Sequence, residues 1–189
     1  MRLFTAIVIP SPVAQQLARL QPLTSSGIRL VKTEQIHLTL HFLGDTSLAI
    51  VQQELQGFSG PAFELTIDRL GSFPTAERST TLWAGLQESK PLMELHSDIE
   101  ARLVAAGYRP EKRAYRPHIT LARCSLEVPK HVIQDFLAQQ SLLIPMTFMV
   151  QEVVLFSSRL SEMGPTYQQE NVYPLMNGNS QTPSKSPST

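Results

Sequence analysis

The sequence predicts a mixed fold of helices and strands, arranged as two similar lobes. Stretches rich in β-branched and aromatic residues, which favour strands, alternate along the chain with stretches that favour helices. The second kind has Pro at its start or Gly at its end, which are common start and stop signals of helices. The order of these elements recurs after a shift of about 80 residues. Such a recurrence is typical of a duplicated unit, whose two copies we expect to be related by a pseudo-twofold axis.

The individual elements are predicted from local composition and from the residues that begin or end helices. Runs of β-formers predict strands, an N-terminal Pro or a capping Asp or Thr predicts the start of a helix, and Gly predicts its end. The expected strands span residues 2–9, 36–42, 62–70, 80–86, 118–123, 146–156 and 166–172. The expected helices span residues 12–21, 45–58, 91–106 and 129–140, the third of them ended by Gly107.

Three sequence matches in the same order define the duplication. Residues 3–6 (LFTA) correspond to residues 82–85 (LWAG), and Pro12 corresponds to Pro91. With an adjustment of two residues, the tetrapeptide HLTL at 37–40 falls on HITL at 118–121. We therefore expect one bilobal domain over residues 1–176. The rest of the chain, residues 177–189, is polar and rich in Ser and Pro, and we expect it to be disordered.

Composition bounds the class of protein. The chain has 189 residues, of which 42% are hydrophobic and 17% charged, as in ordinary soluble domains. Its single cysteine, Cys124, excludes an intrachain disulfide and favours a reducing compartment. The first apolar run, of about eight residues, is too short to span a bilayer. We therefore expect a cytoplasmic protein outside the membrane, and nothing in the sequence requires more than a monomer.

Positive charge is concentrated just before the second repeat motif. Basic and acidic residues balance over the whole chain, 16 of each, so no global field attracts long polyanions. In the segment 109–123, however, five cations stand against the single acid Glu111; the cations are Arg109, Lys112, Arg113, Arg116 and Arg123. The segment is either a solvated basic surface or part of an anion site. Its position directly before and around His118 favours the second interpretation.

Two His-x-Thr tripeptides carry the chemistry that the sequence offers. Side chains alternate between the two faces of a strand. His37, Thr39 and His41 should therefore share one face, opposite their apolar neighbours, and so should His118 and Thr120. Each strand then presents an imidazole and a hydroxyl about 7 Å apart. If the pseudo-twofold axis brings the two strands side by side, two histidines and two threonines surround one cleft.

Such a cleft suits the metal-free opening of a strained cyclic phosphodiester. One neutral imidazole accepts a proton from water, and one imidazolium donates a proton to the leaving alkoxide. Thr39 and Thr120 supply uncharged donors for the non-bridging phosphate oxygens. A single His-x-Thr is most often an ordinary piece of strand. Two copies with matching apolar flanks at corresponding places favour catalysis instead.

The other histidines and the tryptophan have simpler interpretations. His37 and His41 have the i, i+4 spacing of a zinc pair on a helix, but the residues between them predict a strand. We therefore expect no metal and no other cofactor. His96 and His131 lie in predicted helices as surface or packing residues. Trp83 lies in a predicted strand, where a core position is expected rather than a base-stacking platform.

In these motifs and their flanks the chain resembles the bacterial and archaeal RNA 2′,3′-cyclic phosphodiesterases, also described as 2′-5′ RNA ligases, of the 2H phosphoesterase superfamily. The resemblance runs to about residue 176, and both signature tetrapeptides are intact. The segments that carry it are RLFTAIVIP from residue 2, HLTLHFLGD at 37–45, LWAGL at 82–86, RPHITLAR at 116–123 and LFSSRLSEMGPTY at 155–167.

The resemblance implies a bilobal α+β fold with a concave site between two antiparallel sheets flanked by helices. It implies His37 as the proton donor and His118 as the acceptor that activates water, in a hydrolysis that leaves a 2′-phosphomonoester. Arg123 becomes a candidate phosphate contact, although strict alternation would direct it away from the cleft. The implied partners are RNA ends or small cyclic nucleotides.

Two other functions are compatible with the same residues. The site could cleave 2′-5′ oligonucleotides or join RNA ends, because joining is ring opening with an RNA 5′-hydroxyl in place of water. No glycine-rich nucleotide loop is present, so joining would be independent of ATP. Alternatively, the segment 109–123 could bind RNA ends without catalysis. The two intact histidines make that the weaker hypothesis.

Overall fold

Strands and helices alternate along the chain, as the sequence predicts. The computed structural model describes residues 1–75, 79–105, 107–110, 113–161 and 164–176. In these residues the strands are β1 (Arg2–Val8), β2 (Ile28–Leu30), β3 (His37–Asp45), β4 (Phe63–Thr75), β5 (Ser79–Leu86), β6 (His118–Ser125), β7 (Met146–Val150), β8 (Glu152–Ser161) and β9 (Gly164–Pro174). The α-helices are α1 (Ser11–Arg19), α2 (Leu48–Glu54), α3 (Lys90–Ala105) and α4 (Lys130–Ala138).

The strands form two antiparallel lobes that meet at the two motif strands. The order across the sheet is β7-β4-β5-β6-β3-β1-β8-β9, with β2 paired to the last residues of β6. In the described residues the strand pairing between the lobe of β4 to β7 and the lobe of β1, β3, β8 and β9 runs through one residue pair, Leu38 of β3 and Ile119 of β6. The predicted bilobal α+β fold is therefore confirmed.

The duplicated elements occupy equivalent places in the two lobes. β1 pairs with β3 in one lobe as β5 pairs with β6 in the other, so that Val8 lies opposite His37 and Gly85 lies opposite His118. A helix follows each of these first strands, α1 after β1 and α3 after β5. Both motif strands consequently lie in the middle of the sheet, next to each other.

The helices cover the sheet with apolar faces of helical period. α3 buries Leu92, Leu95, Ile99 and Leu103, which are three or four residues apart, and packs against β3 and α2. Each buried leucine of this kind contributes about 1.5–3 kcal/mol. Gly107, at φ +85°, ends the helix as predicted. Among the described residues no helix has the length and apolarity to cross a membrane.

Two element predictions were wrong in their bounds, and one short strand was missed. The helix expected over 45–58 covers only Leu48–Glu54, because β3 continues to Asp45. The single strand expected over 146–156 is two strands, β7 and β8, since the chain crosses from one lobe to the other at Gln151. The short strand β2 was not predicted. The expected disordered segment 177–189 lies outside the described residues.

Each motif strand contains an irregularity, shortly after its His-x-Thr motif, that breaks the alternation of its side chains. The pairing of β3 with β1 skips Leu40, and the pairing of β6 with β5 skips Leu121. As a result two successive residues are buried in each strand, Leu40 with His41 and Leu121 with Ala122. A bulge of this kind exchanges the two faces beyond it. The fifth residue after each motif histidine therefore returns to the face of that histidine.

Candidate active site

The structure brings the two His-x-Thr motifs together at the centre of the sheet. β3 and β6 meet antiparallel at the residues that follow His37 and His118. By this register His37 lies across from Thr120, and Thr39 lies across from His118. Facing residues in such a ladder have β-carbons about 5 Å apart, and diagonal residues about 7–8 Å. The two imidazoles thus lie on one diagonal and the two hydroxyls on the other.

Both histidines are held in the same way by the backbone. Nδ1 of His37 lies 2.7 Å from the carbonyl oxygen of Gln35, and Nδ1 of His118 lies 2.8 Å from that of Arg116. A carbonyl oxygen only accepts hydrogen bonds, so Nδ1 carries a proton in each ring. This fixes the tautomer and leaves both Nε2 atoms available for proton transfer.

Aromatic rings from neighbouring strands hold the two imidazoles in place. The ring of Phe4 lies 5.1 Å from that of His37, and Tyr167 meets the same imidazole edge-on at 5.4 Å. In the other lobe Phe73 meets the ring of His118 edge-on at 5.0 Å. These contacts restrict the orientation of each imidazole.

Arg123 faces the cleft, because the bulge at Leu121 exchanges the faces of β6. Its guanidinium lines the same cavity as Thr39 and Thr120, and its Nη1 donates to Oγ1 of Thr81 at 3.2 Å. The expectation that alternation would direct Arg123 away from the cleft was wrong. Arg123 therefore lines the cavity, and its role as a phosphate contact stays a prediction.

The cleft is a positively charged cavity of about 200 Å³. Three cations line it, Arg29, Lys32 and Arg123, and no acidic residue does so in the part of the chain that the structure describes. Phe42, which is the fifth residue after His37 as Arg123 is after His118, lines the cavity from the other lobe. A concave site with one sign of charge concentrates anions such as a phosphodiester.

Burial and neighbouring charge lower the basicity of His37. Desolvation is the strongest of the effects that lower the pKa of His37 below 6.5. The hydrogen bond to the backbone of Gln35 raises this pKa, whereas the positive charges of Arg123 and His118 lower it further. The free site thus favours a neutral His37. A bound phosphate anion would act in the opposite direction, because it stabilises the imidazolium.

His41 was predicted on the catalytic face, and this prediction was wrong. The bulge turns it to the other side of β3, where it is only 3% exposed. Its Nδ1 lies 3.3 Å from Oγ1 of Thr5, and its Nε2 has no hydrogen-bond partner within the described part of the chain. Burial first, and then the charge of His96, lower the pKa of His41 to about 3. His41 is therefore a neutral core residue.

One group of described residues has the composition of a metal site. Ligand atoms of His41, His96 and Glu100 lie within 4.8 Å of one another. The two imidazoles, however, stack face to face with ring centres 4.1 Å apart. A metal ion binds in the plane of an imidazole, so stacked rings do not direct their lone pairs at one point. The group is therefore better explained as packing, as expected for His96.

Tyr115 links the two halves of the site. Its hydroxyl donates to the carbonyl oxygen of Thr39 at 2.9 Å, and its ring stacks on His96 at 4.0 Å. It also stands just before Arg116, whose carbonyl holds the imidazole of His118. The contact thus ties the segment before the second motif to the backbone of the first.

We expect Tyr115→Phe to lower the free energy of unfolding by about 1 kcal/mol, because the part-buried carbonyl of Thr39 loses its donor. Urea unfolding followed by circular dichroism measures the difference. Tyr115→Leu, which also removes the stack on His96, should cost more than Tyr115→Phe. Equal stability of wild type and Tyr115→Phe would show that water replaces the hydroxyl.

The basic segment 109–123 contributes to two different cavities. Arg123 lines the cavity beside His37, and Arg116 lines a second groove on the other side of His118. Arg109 and Arg113 are exposed, and Lys112 lies outside the described residues. The four described cations of the segment therefore do not form one surface around the site.

Several residues around the two histidines were not singled out by the sequence patterns. Phe4 and Tyr167 lie in strands far apart in the chain and meet at His37 only through the pairing of β1, β8 and β9. The backbone carbonyls of Gln35 and Arg116 have no side-chain signature at all. Tyr115 could have been suspected from its position three residues before His118.

Comparison with known proteins identifies the relatives of this chain. The family model described as the 2′-5′ RNA ligase superfamily matches residues 9–162. A protein of Methanocaldococcus jannaschii named RNA 2′,3′-cyclic phosphodiesterase is 28% identical over 170 residues, which are 89% of this chain and 97% of that protein. An Escherichia coli K12 protein of the same name is 32% identical over 133 residues, 67% of this chain and 73% of that protein.

Solved structures share the fold. The crystal structure of E. coli LigT complexed with 3′-AMP is similar with a TM-score of 0.74 at 24% identity, covering 93% of this chain and 98% of LigT. The crystal structure of TT0787 of Thermus thermophilus gives a TM-score of 0.73 at 24% identity, covering 94% of this chain and 100% of TT0787. At this level of identity the likeness supports the bilobal architecture.

Proposed function

Because the chain belongs to the 2′-5′ RNA ligase superfamily, we propose that it hydrolyses RNA 2′,3′-cyclic phosphate ends to 2′-phosphomonoesters. The observation that carries the mechanism is the matched pair of imidazoles, His37 and His118, each with Nδ1 bonded to a backbone carbonyl and Nε2 available. Two such nitrogens on one face can act as acid and base. The relatives named RNA 2′,3′-cyclic phosphodiesterases support the substrate class.

In the proposed reaction water attacks phosphorus in line with the P–O3′ bond. His118 accepts a proton from the water at Nε2. As the P–O3′ bond breaks, His37 donates a proton from Nε2 to O3′, and the phosphate stays on O2′. General acid and general base catalysis of this kind are each worth about 10²–10⁴-fold in rate.

The remaining cavity residues stabilise charge on the phosphate. The hydroxyls of Thr39 and Thr120 donate to the non-bridging oxygens, and Arg123 balances the negative charge that grows on them. Arg29 and Lys32 attract the anionic RNA end. With an acid at the leaving oxygen and cations at the phosphate, the proposed chemistry requires no metal ion.

The direct test uses an RNA oligonucleotide that ends in a 2′,3′-cyclic phosphate. We expect the protein to convert it to the 2′-phosphomonoester at the same rate with and without excess EDTA, as followed by chromatography and phosphorus NMR. A 3′-phosphomonoester as the product, or turnover that appears only after a divalent metal is added, contradicts the proposal.

The pH dependence should differ between the free protein and the substrate complex. The donor His37 must be protonated and the acceptor His118 neutral, which gives a bell-shaped profile. Burial, Arg123 and His118 lower the pKa of His37 in the free protein, whereas a bound phosphate raises it. We therefore expect the alkaline limb of kcat to lie at higher pH than that of kcat/KM. Coincident limbs would mean that the bound phosphate does not raise the pKa of His37.

A further inference from the structure

Gln35 makes two hydrogen bonds that both bear on His37. It ends the short turn Thr33–Gln35 before β3, and its main-chain carbonyl oxygen accepts a hydrogen bond from Nδ1 of His37 at 2.7 Å. Nε2 of its side chain donates to the carbonyl oxygen of Pro165 at 3.0 Å, across 130 residues of chain. One residue thus contacts both the histidine and the start of β9.

The start of β9 carries part of the aromatic wall around His37. β9 begins at Gly164, and both Pro165 and Tyr167 line the cavity. The ring of Tyr167 meets the imidazole of His37 edge-on at 5.4 Å and the ring of Phe4 edge-on at 5.0 Å. Phe4 itself lies 5.1 Å from the imidazole. The contact of Tyr167 with His37 therefore depends on where the first residues of β9 lie.

This end of β9 extends past the ladder that β1 forms with β8. That ladder runs along β8 from Val154 to Ser158, whereas Pro165 pairs with Leu160, beyond the ladder. β9 is the last strand of the sheet, so β8 is its only strand neighbour in the described part of the chain. Segments held by few contacts open locally at low cost in free energy. The bond from Gln35 adds a contact at this end, since it ties Pro165 to the turn before β3.

The main-chain bond alone does not fix the imidazole of His37. A hydrogen bond from Nδ1 sets one direction of the ring and selects the tautomer that leaves Nε2 free. The ring remains able to rotate about the axis of that bond. Contacts with the rings of Phe4 and Tyr167 restrict this rotation. The restriction matters because a misplacement of about 1 Å at a reacting group costs up to about 10²-fold in rate.

We infer that Gln35 is a positioning residue for His37. Its side chain holds the start of β9 against the turn before β3, and so keeps Tyr167 packed on the imidazole whose Nδ1 binds the Gln35 carbonyl. The role of His37 as the proton donor rests on the proposed function, whereas the positioning concerns the free protein as well. Gln35 acts through Tyr167 and transfers no proton itself.

Loss of the side-chain bond has a defined effect on the pKa of His37. Every substitution at Gln35 retains the main-chain carbonyl, so the bond to Nδ1 persists. Burial is the largest of the effects that lower the pKa of His37, and the charges of Arg123 and His118, which lower it further, are the same in every variant. When the start of β9 moves away from the turn, water reaches the imidazole, and its pKa rises toward the ordinary value of 6.5.

The test replaces Gln35 by Met, which keeps the length of the side chain and removes its donor. The matched control is Gln139→Met, because Nε2 of Gln139 donates to the carbonyl oxygen of Leu20 at 3.2 Å, a bond across 119 residues that lies outside the cavity. Gln35→Met should lower kcat for a cyclic phosphate end about tenfold, and change KM by less than about twofold because substrate binding is retained. In an NMR titration of the free protein, the pKa of His37, assigned with His37→Ala, should rise above the wild-type value. Gln139→Met should keep the wild-type kcat and pKa.

A second variant tests whether Gln35 acts through Tyr167. Tyr167→Leu removes the aromatic ring from His37 and should also raise the pKa of His37. In the double variant Gln35→Met/Tyr167→Leu this pKa should rise no further than in Tyr167→Leu, because the two changes break one chain of contacts. Additive shifts overturn the inference.

The outcomes separate this inference from the proposed function. An unchanged pKa of His37 in Gln35→Met overturns the inference, and so does an unchanged kcat in an enzyme that opens cyclic phosphate ends. A raised KM with unchanged kcat also overturns it, since Gln35 would then be a substrate contact. If wild type opens no cyclic phosphate end, the proposed function fails. The titration, which needs no substrate, then decides the positioning by itself.

Discussion

His118→Ala should lower kcat for the hydrolysis of a cyclic phosphate end by about 10²–10⁴-fold, because water loses its general base. His37→Ala should cost a similar factor, since O3′ then leaves without its proton. Both histidines are only half-buried, so the folded state should tolerate either change. Single-turnover rates with a cyclic-phosphate oligonucleotide measure the effect.

Two controls make this prediction specific. His131→Ala removes an exposed histidine of α4 and should retain full activity. His37→Ala/His118→Ala should be scarcely slower than the worse single variant, because residues that act as a unit are non-additive. Activity of His118→Ala within a factor of about three of wild type would exclude the two-histidine mechanism.

The protein should lose stability as the pH falls below about 6.5, because it buries neutral imidazoles. Burial lowers the pKa of His41 from 6.5 to about 3, with a smaller contribution from the charge of His96. Burial also lowers the pKa of His37 and of His96. In each case the unfolded chain binds the proton more tightly than the folded protein does.

The sign and the size of the effect follow from this difference. The stabilisation is fully present above the unfolded value of 6.5 and is lost progressively as the pH falls toward the folded value of about 3. Between pH 7 and pH 5, His41 alone should lower the free energy of unfolding by about 2 kcal/mol. His37 and His96 act in the same direction. Urea titrations at the two pH values measure the total.

A histidine substitution assigns the effect to one ring. In His41→Leu the decrease in the free energy of unfolding between pH 7 and pH 5 should be about 2 kcal/mol smaller than in the wild type. This difference should hold whatever the stability of the variant at pH 7. His131→Leu, at the exposed position in α4, should keep the wild-type loss. An unchanged loss in His41→Leu would mean that its imidazole is hydrated rather than buried.

The sequence by itself determined the two His-x-Thr motifs and their approximate positions in the fold. Alternation around His37 and His118 and the matching order of elements in the two halves are local patterns, and they predicted two lobes with the motif strands in equivalent places. The lobes are present, and the two motif strands are neighbours. Local periodicity was enough to predict which side chains of each motif share a face, because each His-x-Thr motif precedes the bulge in its strand.

Only the tertiary structure decided which way the residues after each motif point. Skipped pairings at Leu40 and Leu121 turn His41 into the core and Arg123 into the cleft. Bulges depend on how two distant strands align, and the period of one strand does not contain that information. The same holds for Tyr115 on the carbonyl of Thr39 and for the groove beside His118, whose walls come from separate strands, a helix and a connecting segment.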